Sequence, residues 1–209
     1  MPSVTGRAPD LSPILKALRF AAIRHRDQRR RDRHGSPYII HPIDLACVLA
    51  LEGGVNDEAT LVAALLHDTI EATRTTMREI ERSFGAEVAA IVAEVTDDWR
   101  LPRVERKRLQ IENAASLSRK AQLVRLADKI SNVRDIFAGS PVSWDEKRKR
   151  HYIDESRQVV DRLRGVNPAL ERVFDGLYRQ SAAEAASAIH GSTECAVDSE
   201  LPSKRRLPA

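Results

Sequence analysis

The stretch RKAQLVRLADKISNVRDIF, residues 119–137, decides the fold class. Leu123, Leu126 with Ala127, Ile130, Val133 and Phe137 recur every three or four residues, which places them on one face of an α-helix. Asp128 stands inside that apolar pattern. A carboxylate in such a place loses hydration and needs a partner. A salt bridge to Lys129 or to an arginine is one answer, and a metal ion is another.

The same helical pattern recurs on both sides. Ser12 followed by Pro13 suits a helix start, and Ile14, Leu15, Leu18 and Ala22 give a stripe over 12–29. Residues 30–40, with Gly35-Ser36-Pro37, form a loop. A second helix runs from Pro42 to Gly53-Gly54. A third begins after Asp57 and carries Leu61, Ala64 and Leu65 into His67-Asp68. Thr76 and Glu79 make a capping box for a fourth, ending near Gly85, and a fifth covers 86–95. Residues 96–103 are a loop before a helix over 104–115. Gly139-Ser140-Pro141 stops the 119–137 helix. Ser143 and Glu146 form a second capping box, opening a helix that ends at Gly165, and Asn167-Pro168 starts the last, reaching Ile189. No alternating strand pattern and no internal repeat is evident. The expected architecture is all-α: a flexible N-terminus over 1–11, one helical bundle over 12–190, and a polar, disordered tail over 191–209.

Composition agrees with aliphatic helix packing. The 209 residues are 42% hydrophobic but only 4% aromatic, a length and balance that suit one sizeable core. No apolar run approaches the roughly 20 residues of a membrane span, and the start of the chain lacks a charged segment followed by an apolar one. Cys47 and Cys195 are far apart and are expected as free thiols. Together these features predict a cytoplasmic protein. The net charge of +4 fits either a nucleic acid or a small polyanion. Without zinc-finger spacing or RNP-like aromatics, nucleic acid is the less favoured partner. Oligomeric state is open.

Chemistry narrows by elimination. No Walker-type loop and no Gly-x-Ser-x-Gly elbow is present. Cys47 lies in an apolar helix and Cys195 in the tail, which leaves histidine and carboxylate chemistry. A lone histidine is ordinarily structural or solvated, as expected for His34 and His190. His67-Asp68 differs, because two adjacent ionisable groups end an apolar helix. Pro37-Tyr38-Ile39-Ile40-His41-Pro42 puts another histidine at a helix mouth. His41, His67, Asp68 and Asp128 therefore supply two imidazoles and two carboxylates. That mixed N/O set suits one first-row divalent ion such as Mn²⁺, with positions left for water and substrate. Glu71 lies four residues after His67 and shares its face if the helix continues; by itself it is better explained as a surface carboxylate pairing with Arg74.

The order His…His-Asp…Asp is the signature of HD-superfamily metal phosphohydrolases, and the likeness goes further. His25-Arg26-Asp27-Gln28-Arg29-Arg30-Arg31, Pro37 to Pro42, Leu66-His67-Asp68-Thr69-Ile70-Glu71, Val95-Thr96-Asp97-Asp98, Glu105-Arg106-Lys107, and Leu126-Ala127-Asp128-Lys129 with Asn132 and Arg134 resemble the hydrolase domain of RelA/SpoT proteins. The likeness spans about 12–180 with no synthetase domain after it, as in stand-alone small alarmone hydrolases of the Mesh type. It implies an HD-type helical fold and Mn²⁺ held by His41, His67, Asp68 and Asp128. It also implies hydrolysis of the 3′-diphosphate of (p)ppGpp-like nucleotides, guanosine or adenosine, with release of pyrophosphate. Phosphate removal from NADPH is a second implied substrate.

By the same match Glu71 orients or deprotonates the attacking water. Arg30 and Arg31 stack on the base and contact phosphate. Asn132 and Tyr152 lie near the nucleoside, and Arg103, Lys107 and Arg148 are further candidates for diphosphate contacts. His25 is expected as a packing residue beneath the loop. The family pattern has Glu-Asp after His-Asp, whereas this chain has Glu71-Ala72. Alanine can neither orient water nor accept a proton, which leaves a catalytically weakened nucleotide-binding module as the alternative.

Overall fold

The central element is α3 (Glu58–Leu66), in which every residue from Thr60 to Leu66 is buried. A helix apolar on all sides must be surrounded, and α1 (Ser12–Arg24), α2 (Ile40–Cys47), α6 (Ala86–Val95) and α8 (Arg119–Phe137) pack against it. Its N-cap Asp57 accepts from the Thr60 N–H at 2.9 Å. Side chains such as Leu66, wholly buried, each contribute about 1.5–3 kcal/mol. The remaining helices are α4 (Thr69–Ala72), α5 (Met77–Phe84), α7 (Arg103–Asn113), α9 (Glu146–Asp161) and α10 (Pro168–Glu194), with a π-helical turn at Val48–Glu52 and a 3₁₀ turn at Ala114–Ser116. This computed structural model describes residues 10–139 and 141–194. Among them there is no strand, only an isolated bridge between Arg29 and Pro37. The all-α architecture follows from the aliphatic periodicity, and none of the described helices is long and apolar enough to cross a membrane.

Several local expectations are corrected. Leu11, not Ser12, occupies the N-cap of α1 and makes no side-chain cap; the Ser12 N–H is instead taken by Asp10 Oδ1 at 2.9 Å. The helix stops at Arg24 rather than 29, because His25 leaves helical geometry (φ −95, ψ 8). Its buried ring holds Gln28, Nδ1 to Oε1 at 2.6 Å. Residues 28–38 then fold back through Arg30 N–H to Ser36 O and Tyr38 N–H to Gln28 O. The second helix starts at Ile40, which Pro42 tolerates because a first-turn N–H has no helical partner anyway.

Thr76 caps α5 through Glu79 N–H at 3.3 Å, but the Glu79 carboxylate pairs with Arg24 instead of closing the box. Asp145, not Ser143, caps α9, accepting from the Arg148 N–H at 2.7 Å. That helix ends at Asp161 and reaches Gly165 through turns. Between α5 and α6, Gly85 takes φ +88, which lets one helix follow the other without a linker. Asn167 caps α10 through Ala169 and Leu170 N–H, and α10 continues past residue 189 to Glu194. The expected flexible start lies outside the described residues except for its last two positions, as does the expected tail beyond 194 with Cys195.

Candidate active site

Two helix ends and the middle of a third helix converge on one buried cluster. His41 comes from the first turn of α2, His67 from the C-cap of α3, and Asp128 from the middle of α8. A ligand atom from each lies within 4.8 Å of the others. His41 Nε2 is 3.4 Å from Asp128 Oδ1, and the two imidazole centroids are 5.2 Å apart. Asp68 stands just outside this triplet. Its Oδ2 is 3.1 Å from His67 Nε2 and 3.9 Å from His41 Nε2, and it accepts the Tyr38 hydroxyl.

The second contacts fix orientation. His67 Nδ1 donates to the Ala64 carbonyl at 2.8 Å, since a carbonyl can only accept. That leaves His67 Nε2 pointing into the cluster, buried and without a hydrogen-bond partner. His41 Nδ1 lies 3.2 Å from Ser131 Oγ. Asp128 Oδ1 accepts from Asn132 Nδ2 at 2.7 Å, and its Oδ2 faces Lys129 Nζ at 3.4 Å. The salt bridge expected as the bland partner of Asp128 is therefore present, together with the histidines.

Electrostatics match. Burial opposes charge on Asp68, but His67 and His41 hold its carboxyl well below the usual range. For Asp128 burial is likewise overcome, by Lys129 and His41. Burial disfavours a charged His67, yet Asp68 and Asp128 outweigh it and lift the ring to about 9. The carboxylates that hold a proton there also suit a divalent cation, which competes for the same nitrogen.

Glu71 is held by a partner the spacing does not suggest. A turn at His67-Asp68 interrupts the helix between α3 and the short α4, with both residues keeping right-handed backbone. Glu71 Oε1 accepts from the Asp97 N–H at 3.1 Å. Burial, with Asp97 and Asp68 nearby, pushes its carboxyl up to about 7. No ion pair joins it to Arg74 among the described residues.

A cavity lined by His41 adjoins a second one, and the two share Arg31, Trp144 and Tyr152. One, about 450 Å³, reaches His41, Tyr38, Ala72 and Asn132. The other, about 480 Å³, holds Glu71 and Asp97 opposite Arg103, Arg106, Lys107 and Arg148. The expected contact residues separate here. Arg30 is bound by Asp135 and faces Asp44 at 3.9 Å, so its guanidinium is committed to the wall, unlike the free stacking group expected. Arg31, Arg103 and Arg148 make no ion pair among the described residues. Arg148 lies over the Trp144 ring at 4.6 Å and Lys107 over Tyr152 at 4.6 Å. Burial, reinforced by Lys129, lowers the Lys107 ammonium to about 8. Asn132 lines the first cavity while supporting Asp128.

The sequence profile of the family described as HD domain matches residues 17–164, an interval that contains all of these groups. The chain belongs to the HD-domain family. It is 50% identical over 169 residues to guanosine-3′,5′-bis(diphosphate) 3′-pyrophosphohydrolase MESH1 of Xenopus tropicalis, covering 81% of this chain and 94% of that one. The human protein of the same name is 48% identical over 171 residues, covering 82% and 96%. A solved structure of a metazoan ortholog of SpoT, a protein that hydrolyses ppGpp and plays a role in starvation responses, matches with a TM-score of 0.80 at 43% identity. That match covers 84% of this chain and 98% of the other.

Four residues of this HD domain carry no assigned role in the sequence, namely Tyr38, Asp97, Gln110 and Trp144. Tyr38 and Asp97 sit in the quoted motifs, but only folding shows that one donates to Asp68 and the other to Glu71. Trp144 had a usable signal, an aromatic in a polar loop four residues before Arg148. Cys47 is exposed, although its helix is largely apolar.

Proposed function

We propose that this HD-domain protein is a metal-dependent hydrolase that removes the 3′-diphosphate of ppGpp, as its MESH1 relatives are named for doing. The observation that carries this reading is a His/His/Asp cluster whose His41 lines one cavity, adjoined through Arg31, Trp144 and Tyr152 by a second cavity that bears Glu71 with Arg103, Lys107 and Arg148. A polyphosphate is the ligand that answers both sides at once.

The residues fit a divalent ion. His67 Nε2 is a buried nitrogen in the cluster that makes no aligned hydrogen bond although Asp68 Oδ2 lies 3.1 Å away, and two imidazoles with Asp128 and Asp68 are a donor set suited to Mn²⁺. Such an ion supplies neutralisation of phosphoryl charge and a more acidic water. His41, His67, Asp68 and Asp128 would hold it. Glu71, with its proton affinity raised to about 7, accepts the proton of the attacking water. The Asp97 N–H holds the Glu71 carboxylate in place for that transfer. Water oxygen bonds to the phosphorus next to the ribose, the P–O3′ bond breaks, and the 3′ oxygen takes up a proton. The products are a nucleoside 5′-diphosphate and pyrophosphate. The unpaired arginines bind the diphosphate, and Trp144 with Tyr152 walls the nucleoside side. We assign the protein to the cytoplasm and the domain to residues 12–190 on the sequence features above.

Ala72 favours a second reading, a nucleotide-binding module of reduced turnover, because it lines the first cavity where relatives of this pattern carry an acid. Metal-free protein reloaded with Mn²⁺ and incubated separately with ppGpp, ppApp and NADPH distinguishes these. Pyrophosphate from ppGpp, lost on chelation, supports the hydrolase. Release from ppApp, or phosphate from NADPH, moves the substrate within the same chemistry. Binding of all three without turnover supports the module.

A further inference from the structure

The two proposed catalytic elements, the metal ligand Asp128 and the base Glu71, are joined by one polar chain, of which Asp97 and Gln110 line the second cavity beside Glu71. Lys129, 3% exposed, faces Asp128 Oδ2 at 3.4 Å and donates to Gln110 Oε1 at 3.1 Å. Gln110 Nε2 donates to Asp97 Oδ2. Asp97 N–H donates to Glu71 Oε1 at 3.1 Å. Arg125, also buried, steadies Asp97 from the other side, with Nη2 3.6 Å from its Oδ1 and 2.8 Å from the Val95 carbonyl.

Gln110 is the neutral link, and its amide meets opposite demands at its two ends. The carbonyl faces an ammonium, and the NH₂ faces a carboxylate. A glutamate in its place sets a second anion against Asp97, and a methionine cuts both bonds. Gln110 lies on α7, a helix with no fully buried residue. Ile111 anchors α7 on the aliphatic core, and the helix also carries Arg103 and Lys107 into the cavity.

We propose that Gln110 is a positioning residue for the hydrolysis, holding Asp97 so that its N–H sets the Glu71 carboxylate, and registering α7 against Lys129. The inference rests on Glu71 being the proton acceptor. Small displacements of a reacting group can cost about 100-fold in rate, so the effect is read in kcat.

The test compares Mn²⁺-loaded wild type, Gln110→Met, Gln110→Glu, Asp97→Asn, the Gln110→Met/Asp97→Asn double variant and Glu71→Gln, with ppGpp as substrate and thermal melts alongside. The expected result is a kcat lowered about tenfold or more in both Gln110 variants, with KM within about threefold. The double variant is no slower than its slower parent, because both act on one link. Gln110 variants within twofold of wild-type kcat, a loss confined to KM, or losses that multiply in the double variant overturn the proposal. Should Gln110→Met lose its melting transition, Gln110→Glu, which keeps the side-chain length, decides by the same criteria. An active Glu71→Gln overturns the base assignment itself; an inactive Glu71→Gln beside unaffected Gln110 variants overturns only the role of Gln110.

Discussion

The backbone N–H of Asp97 donates to the Glu71 carboxylate at 3.1 Å, while the Asp97 side chain turns away to Gln110 and Arg125. One residue thus acts on Glu71 in two opposed ways, its N–H dipole favouring the carboxylate and its own charge disfavouring it. The N–H favours the ionised carboxylate, but burial and the nearby Asp97 and Asp68 charges oppose it more strongly, and the group is held near 7. That is the range in which a general base works best at neutral pH.

This tuning costs stability. A carboxyl whose pKa is higher in the folded state binds more protons folded than unfolded, so stability falls as pH rises from about 4.5 through 7. Glu71→Gln in metal-free protein removes the penalty. It should be more stable than the parent by about 1–2 kcal/mol at pH 8, after allowance for solvent screening, and equal to it near pH 4. Urea unfolding at the two pH values measures this, and a variant no more stable at pH 8 contradicts it.

Asp128→Ala should abolish Mn²⁺-supported turnover, by about 100-fold or more, with helical circular dichroism retained. It also removes the carboxylate facing Lys129, which is 3% exposed and keeps only Gln110 as a partner, so the melting point should drop by the equivalent of about 3 kcal/mol. Normal turnover would remove Asp128 from the site.

Ala72→Asp tests the departure from the Glu-Asp pattern. The Ala72 carbonyl is tied to Gln28 Nε2, so the backbone is already fixed and only the side chain changes in the cavity. The rate should be preserved or raised. A collapse would mean that the pocket has been rebuilt around alanine.

Arg30 and Arg31 are neighbours with opposite employment. Arg30→Ala strips Asp135 and Asp44 of their partner and should lower stability by about 1–3 kcal/mol. Arg31→Ala leaves no anion unpaired and should raise KM for ppGpp about tenfold while the melting point holds. Paired melts and Michaelis curves decide, and the reverse assignment of the two effects would refute it.

The sequence by itself determined the all-α architecture, because helical periodicity is local and the core of this protein is aliphatic. The 119–137 helix shows this best: its stripe and its boundaries are those of α8. Periodicity also exposed the misfit of Asp128 within that stripe, and the spaced motifs brought His41, His67 and Asp68 beside it. Element ends were less legible. His25 ends α1 because its ring is captured by Gln28, and Asp145 rather than Ser143 caps α9, choices made by side-chain geometry within a few ångströms. Only the tertiary structure decided which arginine is spent on Asp135 and which faces the cavity. It also tied Glu71 to the Asp97 N–H, and set Gln110 between Lys129 and Asp97. These are pairings between residues 13 to 105 positions apart or more local contests between neighbours, and charge, unlike hydrophobic spacing, leaves no period along the chain that names its partner.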